Sequence, residues 1–264
     1  MKKLTGKVIV ITGGSKGFGR ALADIWAQDG NTVITLSRSG EDNGKARFRC
    51  DVSDAESVQT VFKKIGLLYK KIDILVNNAG FGQSGAVEII EDKQFAYITN
   101  TNFLGVVYCT KYALPYMERG SRILNISSMS AFIPMPFRTM YSATKSAVNG
   151  FTYGMTMELA GTGIETAAVC LGDIQTEFAL RRQTFSKTAP RYGNRIEEVD
   201  AFVAARPMSK KIPLNKALDR VRRIAAKRKL YPVYIVGLKY RVAYALHKIL
   251  PVKLLLTLVE KAMR

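Results

Sequence analysis

Short runs of aliphatic and β-branched residues alternate with segments of helical periodicity along most of this chain. Such alternation is typical of parallel strands, because each parallel neighbour is reached through a crossover of a dozen or more residues. We expect seven strands, at 7–12, 32–37, 46–50, 73–77, 122–127, 164–170 and 231–237. The intervening helices are expected near 17–29, around 58–65, at 93–117 and at 140–160. The pattern predicts an α/β fold, a Rossmann-like doubly wound parallel sheet with helices on both faces.

We interpret the rest of the chain as additions to one domain. A length of 264 residues with 47% apolar residues suits a single large globule, so residues 1–264 are expected to form one domain. Residues 177–213 are polar and lack a clear period, and residues 238–264 form a basic amphipathic appendage. The short connection between Arg38 and the third strand leaves no room for a full helix.

Cysteine and histidine usage argues against metal chemistry and against disulfides. Cys50, Cys109 and Cys170 are widely spaced in apolar contexts, which favours buried thiols in a reducing compartment. With His247 as the lone histidine and no paired cysteines, no metal site is expected. The apolar run after the basic N-terminus is too short for a signal peptide, and no run is long enough for a transmembrane helix. We therefore predict a cytoplasmic protein.

The formal charge of +19 is concentrated near the C-terminus. Residues 206–264 carry 16 basic and 2 acidic side chains, whereas residues 1–205 carry 24 and 19. A basic patch can bind nucleic acid, an anionic membrane or an acidic ligand. Nucleic acid is not expected, because aromatic residues are not interleaved with the cations as a stacking platform requires. Pro251 divides the tail into two short cationic helices, for which we favour docking on the domain over peripheral contact with an anionic membrane.

A glycine-rich stretch, ITGGSKGFGR at 11–20, follows the first predicted strand and opens the first predicted helix. In an open α/β sheet, ligands bind beyond the carboxyl ends of the strands, which is where this stretch lies. Glycines permit a tight turn and a close backbone approach, and a helix N-terminus favours a pyrophosphate. The spacing TGxxxGxG differs from the common GxGxxG fingerprint, so on its own the stretch is either a structural turn or a cofactor cradle.

Further motifs follow in order along the chain: CDV at 50–52, NNAG at 77–80, NTNFLG at 100–105, NISS at 125–128 and YSATK at 141–145. Together with the glycine loop, over residues 6–176, they resemble the short-chain dehydrogenases/reductases. The resemblance implies an oxidoreductase with a nicotinamide cofactor that assembles as a homodimer or homotetramer. The positions it assigns to the cofactor are Gly13, Ser15, Lys16, Gly17, Phe18, Gly19, Ser37, Arg38, Asp51, Val52, Asn78, Ala79, Gly80, Tyr141, Lys145, Gly172, Ile174 and Thr176.

The resemblance assigns catalysis to Asn102, Ser128, Tyr141 and Lys145. Chemical reasoning about the same residues agrees. Tyr141 and Lys145 lie four positions apart on a predicted helix and so share a face, where the ammonium is expected to lower the pKa of the phenol. Such a phenol can exchange a proton with a carbonyl or alcohol oxygen that Ser128 would hold. By family analogy, Lys145 also binds the nicotinamide ribose, and Asn102 holds a water of a proton relay.

The sequence around the second strand favours NADP(H) over NAD(H). An NAD site offers a carboxylate to the adenosine ribose, whereas an NADP site offers a cation to the 2′-phosphate. The position where the family carries the carboxylate is Ser37, and Arg38 follows it. Lys16, inside the glycine loop, is the family's second common place for a phosphate-binding cation. We therefore expect Lys16 and Arg38 to bind the 2′-phosphate through charge-assisted hydrogen bonds.

The end of the sixth predicted strand departs from the family. Leu171 stands where a proline usually precedes the glycine, so a looser turn is expected, although backbone contacts to the nicotinamide remain possible. Residues 177–213 occupy the place of the family's substrate lid. Its apolar residues either line a substrate pocket or pack the lid down: Phe178, Leu180, Phe185, Tyr192, Phe202, Val203 and Met208.

These observations predict an NADP(H)-dependent oxidoreductase that interconverts a carbonyl and a primary or secondary alcohol, with Tyr141 as general acid and base. The expected substrate is an apolar small molecule of steroid, retinoid or lipid type. The alternative is a non-catalytic NADPH-binding sensor or a membrane-associated scaffold on the same fold. Non-catalytic members of the family typically lose the tyrosine or the lysine, whereas this chain has all four polar residues.

Overall fold

Seven parallel strands form the main sheet of the molecule. A computed structural model gives the fold, and it describes residues 3–178, 182–185 and 190–263. The strands are β1 (Val8–Thr12), β2 (Thr32–Ser37), β3 (Arg47–Arg49), β4 (Ile74–Asn77), β5 (Gln83–Ser84), β6 (Arg122–Ser128), β7 (Glu165–Leu171), β8 (Gln183–Thr184) and β9 (Val233–Val236). The order across the main sheet is β3-β2-β1-β4-β6-β7-β9, with every neighbouring pair parallel. The seven predicted strands and the doubly wound topology are confirmed.

Helices cover both faces of this sheet. They are α1 (Gly17–Gln28), α2 (Ala55–Tyr69), α3 (Asp92–Thr99), α4 (Gly105–Ala113), α5 (Thr139–Glu158), α6 (Arg195–Ala204), α7 (Leu214–Ala225), α8 (Leu238–Ile249) and α9 (Val252–Lys261). Within the described residues, the connection between β2 and β3 contains bends but no helix, as its length predicts.

Strand β1 shows how the sheet separates two hydrophobic layers. Ile9 and Ile11 pack on one side with Trp26 of α1, whereas Val10 packs on the other side with Phe62 of α2. All five side chains are buried. Because both faces are covered, the strand has a continuous apolar sequence rather than an alternating one. This run allowed the strand to be predicted from the sequence.

The three cysteines lie in the core as free thiols. Cys50 follows β3, Cys109 lies on α4 and Cys170 lies on β7. Burial raises the pKa of Cys50 and of Cys170 to about 11, which keeps both protonated at neutral pH. The prediction of buried thiols is confirmed.

The segment predicted as one long helix at 93–117 is divided. Helix α3 ends at Thr99, Asn100–Leu104 form a single π-helical turn, and α4 continues from Gly105. A π turn adds a residue to a helix without a characteristic composition, so the apolar period of the sequence does not reveal it. The turn matters because it carries Asn102.

Two short strands outside the main sheet were not predicted. Strands β5 and β8 pair in parallel, with the Gln183 N–H donating to Gly82 O and the Phe185 N–H donating to Ser84 O. Two residues are too few to show the alternation that marks a strand. The pairing attaches the predicted lid to the segment that follows β4, near the carboxyl ends of the main strands.

The C-terminal tail forms two helices that Pro251 separates. Helix α8 packs on the domain through Tyr240 and Tyr244, in a cluster with Cys170 and Ile235. A second set of apolar side chains on α8 and α9 is exposed: Leu238, Val242, Leu246, Ile249, Val252, Leu254, Leu256 and Leu258. The tail therefore docks through one face and leaves another apolar face open. Across the described residues, no helix has both the length and the apolar character that crossing a bilayer requires.

Candidate active site

The loop between β1 and α1 lies against the segment that follows β4. Gly13 has a φ of +67°, and a Cβ at this position would stand 2.9 Å from the Cα of Ala79. A Cβ on Gly19 would stand 2.5 Å from the carbonyl oxygen of Gly13 and would overlap the Asn78 side-chain amide. Glycine alone fits at either position. The glycine pattern of the sequence therefore reflects a close approach of two loops.

Hydrogen bonds hold the two loops together. Thr12 Oγ1 accepts from the backbone N–H groups of Asn78 and Ala79, each at 2.9 Å. The side-chain amide of Asn78 in turn donates to the carbonyl oxygen of Thr12 at 3.0 Å. The neighbouring Asn77 donates to Asn125 Oδ1 at 2.8 Å and thereby joins β4 to β6. The NNAG motif thus ties the glycine loop to the centre of the sheet.

The N-terminus of α1 has the properties of an anion site. Lys16 is the N-cap residue, with an exposed side chain, and no side chain caps the helix. The first turn, which begins with Gly17, Phe18 and Gly19, contains no acidic residue. Unsatisfied N–H groups at the positive end of a helix bind phosphates. With Ser15 half-buried beside it, this loop fits the pyrophosphate of a dinucleotide.

The end of β2 carries the residues expected to select the cofactor. Arg38 is exposed, and its Cζ lies 5.4 Å from the centroid of the Tyr97 ring on α3, within cation–π range. Ser37 is uncharged, so this position holds no negative charge. Its Oγ donates to the carbonyl oxygen of Ser39 at 2.7 Å. Lys16 is exposed on the glycine loop. Sequence reasoning missed Tyr97, since no motif links a tyrosine on α3 to the end of β2.

Asp51 and Val52 follow β3 at the same edge of the sheet. Asp51 Oδ1 accepts from the backbone N–H of Ser53 at 3.0 Å and from the Ser53 hydroxyl at 2.7 Å. Val52 is buried, and a Cβ on Gly105 would stand 2.9 Å from its Cγ2. Both residues are therefore held in place at the edge where the adenine is expected.

Three of the predicted catalytic residues come together at the carboxyl end of β6. Ser128 ends this strand, and Tyr141 and Lys145 lie on α5. Lys145 Nζ donates to the carbonyl oxygen of Ile126 at 2.9 Å and lies 6.0 Å from the centroid of the Tyr141 ring. Burial lowers the pKa of Lys145 to about 8. The Ser128 hydroxyl lies close enough to the Tyr141 phenol to lower its pKa.

The pKa of Tyr141 differs from the expectation. Burial raises the pKa of this phenol and outweighs the nearby Ser128 hydroxyl, which lowers it. The positive charges of Arg182 and Arg138 also lower the pKa, whereas sequence reasoning assigned that effect to Lys145. The physical reason is that the phenol is itself buried, and burial disfavours its charged form by more than the nearby positive charges favour it.

Asn102 lies in the π turn and is fully buried. Its Oδ1 accepts from the Phe81 N–H at 3.0 Å, and its Nδ2 donates to the Phe81 carbonyl oxygen at 2.9 Å. A Cβ on Gly80 would stand 3.0 Å from Asn102 Oδ1 and 3.7 Å from Lys145 Nζ, so these two side chains meet at the glycine. The structure thus places Asn102 beside Lys145, and the water relay stays a prediction.

The residues expected at the nicotinamide, Gly172, Ile174 and Thr176, follow β7. This turn is held by backbone hydrogen bonds to a distant segment. The carbonyl oxygen of Asp173 accepts from the Ile212 N–H at 2.7 Å, and the carbonyl oxygen of Ile212 accepts from the Gln175 N–H at 2.9 Å. The looseness expected from Leu171 is therefore counteracted by tertiary contacts.

The predicted lid brings Phe178 to Tyr141, with ring centroids 6.1 Å apart. The other described members of the apolar set have different surroundings: Phe185 packs on Gly85, Tyr192 packs edge-on against Phe137, Val203 is buried, and Phe202 and Met208 are exposed. Leu180 lies outside the described residues. Among the described residues of the set, Phe178 is therefore the one that borders the catalytic group.

Two arginines that sequence reasoning missed also act on Tyr141. Arg138, at the start of α5, and Arg182, beside β8, both face Asp200 on α6. Asp200 Oδ1 lies 3.2 Å from Arg138 Nη2 and 3.7 Å from Arg182 Nη1, and it accepts from the Ser84 hydroxyl at 2.7 Å. These residues belong to separate elements and form no local motif, so the sequence carried no signal for them.

Comparison with known proteins agrees with this geometry. Residues 7–186 match the short chain dehydrogenase family. The chain belongs to this family. It is 37% identical over 201 residues to an uncharacterised oxidoreductase of Schizosaccharomyces pombe, covering 73% of this chain and 69% of that one. It is 35% identical over 201 residues to a 3-ketodihydrosphingosine reductase of Bacteroides thetaiotaomicron, covering 75% and 73%.

A solved structure shows the same fold along almost the whole length of this short-chain dehydrogenase. A short-chain dehydrogenase from Streptomyces avermitilis superposes with a TM-score of 0.79 at 26% identity. The match covers 98% of this chain and 97% of that one. The Rossmann-like fold and the oxidoreductase family are thus shown by sequence and by structure.

Removal of the buried ammonium should change how stability depends on pH. The pKa of Lys145 is about 8 in the folded chain against 10.5 for an unperturbed lysine, so the unfolded state binds more protons between these values. The contribution of Lys145 to the free energy of unfolding should therefore increase by about 3 kcal/mol as the pH rises through this window. In Lys145→Met this gain should be absent, as measured by urea unfolding at stepwise pH.

The control for this measurement is Lys111→Met, which removes an exposed lysine of α4. The control should retain the pH dependence of the unaltered protein. An unchanged pH dependence in Lys145→Met would contradict the burial of this charge.

Proposed function

We propose that this short-chain dehydrogenase is an NADP(H)-dependent oxidoreductase that interconverts a carbonyl group and a primary or secondary alcohol. The observation that carries the proposal is that Ser128, Tyr141 and Lys145 come together at the carboxyl end of β6, with Lys145 Nζ buried 6.0 Å from the centroid of the Tyr141 ring. Two adjacent hydroxyl groups can hold one substrate oxygen while a proton moves to it. The glycine loop, which fits a dinucleotide, approaches the same edge of the sheet.

The residues present can perform the proton half of the reaction. When bound, the cofactor supplies a hydride to the carbonyl carbon and is itself oxidised. Tyr141 gives its phenolic proton to the carbonyl oxygen, so the product is the alcohol, and Ser128 orients that oxygen. The raised pKa of Tyr141 keeps the proton on the phenol at neutral pH, which suits reduction. The charges of Arg182 and Arg138 then favour the phenolate that remains.

For the cofactor, the proposal is NADP(H). Arg38 and Lys16 are exposed at the end of β2 and in the glycine loop, where they can bind a 2′-phosphate. Ser37 offers no carboxylate that would repel this phosphate. The cation–π contact with the Tyr97 ring helps to hold the Arg38 guanidinium near the end of β2.

For the substrate, the proposal is an apolar carbonyl or alcohol of lipid, steroid or retinoid type. Phe178 supports it, because the ring lies beside Tyr141 and offers an apolar surface. The relative from Bacteroides thetaiotaomicron is named for a keto substrate, 3-ketodihydrosphingosine, which agrees with a carbonyl as the reacting group.

The variant Tyr141→Phe tests the enzymatic proposal. Loss of the phenolic proton should lower kcat for NADPH-dependent ketone reduction about 100- to 10,000-fold, since general acid catalysis contributes that much. NADPH binding, measured by fluorescence titration, should stay within about twofold because the ring is retained. Activity is best sought with a panel of lipophilic ketones. Turnover unchanged in the variant would disprove the role of Tyr141.

The same titration tests the alternative of a non-catalytic NADPH-binding sensor. A sensor would bind NADPH and reduce no ketone of the panel, and Tyr141→Phe would then change nothing. The arrangement of the predicted catalytic residues favours the enzyme. Each of them lies close to another of the set or shares a neighbour with one: Asn102, Ser128, Tyr141 and Lys145.

Cofactor preference should depend on the two cations. Each charge-assisted hydrogen bond contributes about 1.5–3 kcal/mol, so Lys16→Ala and Arg38→Ala should each weaken NADPH binding about 10- to 100-fold. NADH binding should change little in either variant, as titration calorimetry would show. The matched control is Arg20→Ala on α1, because Arg20 is exposed and paired with Asp24. Parallel loss of NADH and NADPH affinity would contradict the assignment.

For assembly, the proposal is a homodimer or homotetramer, which rests on the family resemblance. For location, the proposal is the cytoplasm, which rests on the short apolar run near the N-terminus. We also propose that the tail contacts an anionic membrane surface. The exposed apolar side chains of α8 and α9 support this, because Lys248 and Lys253 lie among them and are exposed too. Cationic amphipathic helices bind the interface of anionic bilayers through both kinds of side chain.

Vesicle binding tests the membrane contact. Each cation near an anionic bilayer contributes about 1 kcal/mol, so the double reversal Lys248→Glu/Lys253→Glu should weaken binding to phosphatidylglycerol vesicles at least about tenfold. The control is Lys63→Glu/Lys64→Glu, which reverses two exposed lysines of α2. Co-sedimentation with vesicles is the measurement. Equal binding by both double variants would contradict the proposal.

A further inference from the structure

Helix α8 contacts the turn that follows β7, at Gly172. A Cβ on Gly172 would overlap ring carbons of Tyr240 and would stand 2.5 Å from its Cζ. The Tyr240 ring therefore lies directly on the backbone of this turn. A Cβ on Gly237, the residue before α8, would stand 2.9 Å from the same ring. Tyr240 thus fills a space that two glycines leave open.

The hydroxyl of Tyr240 is also bonded to the turn. Its Oη accepts from the backbone N–H of Asp173 at 2.9 Å. The carboxylate of Asp173 pairs with Arg206, with 2.6 Å between Oδ2 and Nη1, and its carbonyl oxygen accepts from the Ile212 N–H. Three residues, Tyr240, Arg206 and Ile212, therefore hold Asp173 through its amide, its side chain and its carbonyl group.

Tyr240 is held in turn by its own surroundings. The ring packs in a cluster with Cys170 and Ile235, and Lys239 Nζ lies 4.9 Å from the ring centroid. Lys239 Nζ also donates to the carbonyl oxygen of Lys210 at 2.8 Å. The hydroxyl is therefore fixed relative to the sheet rather than carried by a freely moving side chain.

We propose that Tyr240 is a positioning residue for the nicotinamide half of the cofactor, so that α8 is part of the cofactor site. Tyr240 holds the backbone at Gly172 and Asp173, and it thereby sets the position of Gly172, Ile174 and Thr176, the residues assigned to the nicotinamide. The family's proline restricts this turn by its own ring, whereas Leu171 cannot, and here a ring from another helix supplies the restriction. The inference rests on the proposed function, because it requires a nicotinamide dinucleotide at the glycine loop.

The variant Tyr240→Phe tests the inference, because it keeps the ring on Gly172 and removes the hydroxyl. NADPH should bind about 3- to 10-fold more weakly, as expected when a backbone N–H loses one neutral acceptor. Adenosine 2′,5′-bisphosphate, which has the adenosine and the 2′-phosphate but no nicotinamide, should bind within about twofold of its affinity for the unaltered protein. Amide hydrogen exchange at Asp173 should become faster. Titration calorimetry and exchange mass spectrometry measure these effects.

The matched control is Tyr244→Phe, one turn further along α8, where the ring packs edge-on against Phe132. It should change neither affinity. Unchanged NADPH binding in Tyr240→Phe, an equal loss for both ligands, or the same loss in Tyr244→Phe would each overturn the inference. Failure of the unaltered protein to bind NADPH or NADH would instead overturn the proposed function, and the inference with it.

Discussion

The contact between the loop after β1 and the segment after β4 determines the position of every other part of the site. Gly13 and Gly19 leave no space for a side chain, so the start of α1 cannot move relative to Asn78 and Ala79. The carboxyl ends of parallel strands lie at one edge of the sheet, so a contact at that edge fixes the surface on which a dinucleotide can bind. A Cβ at either glycine would separate the helix dipole from the strands that carry the catalytic side chains.

Buried amides extend this constraint to the catalytic helix. Asn77 donates to Asn125 Oδ1, and Asn125 donates to Thr152 Oγ1 at 2.9 Å, which connects β4 and β6 with α5. In a low-dielectric interior such bonds are directional, and a group left unpaired is costly. The bonds therefore fix the rotation of α5 about its axis as well as its distance from the sheet. Tyr141 and Lys145 are carried on that helix, and their approach to Ser128 follows from the same chain of bonds. The electrostatics of the site then come from burial, which favours the neutral forms of both side chains.

The sequence predicts the parts of this molecule that depend on neighbours along the chain. β1 could be predicted because a strand covered on both faces is continuously apolar, and α1 could be predicted because glycines mark its start. The motif residues were located at the correct elements because the family pattern records them. What could not be predicted depends on contacts between distant segments. The π turn at Asn102 changes helix phase without a change in composition, and Tyr97, Arg182 and Tyr240 reach the site through tertiary packing alone.

The small β5–β8 ladder has a consequence for motion. Its two described backbone hydrogen bonds contribute about 1 kcal/mol each, whereas unfolding a domain of this kind requires about 5–15 kcal/mol. Breaking these two bonds alone is therefore a local event rather than a step of unfolding. Local events of this kind occur on microsecond to second timescales. The sheet and its buried amides stay closed while this happens, so access to the site and the integrity of the fold are governed by separate sets of bonds.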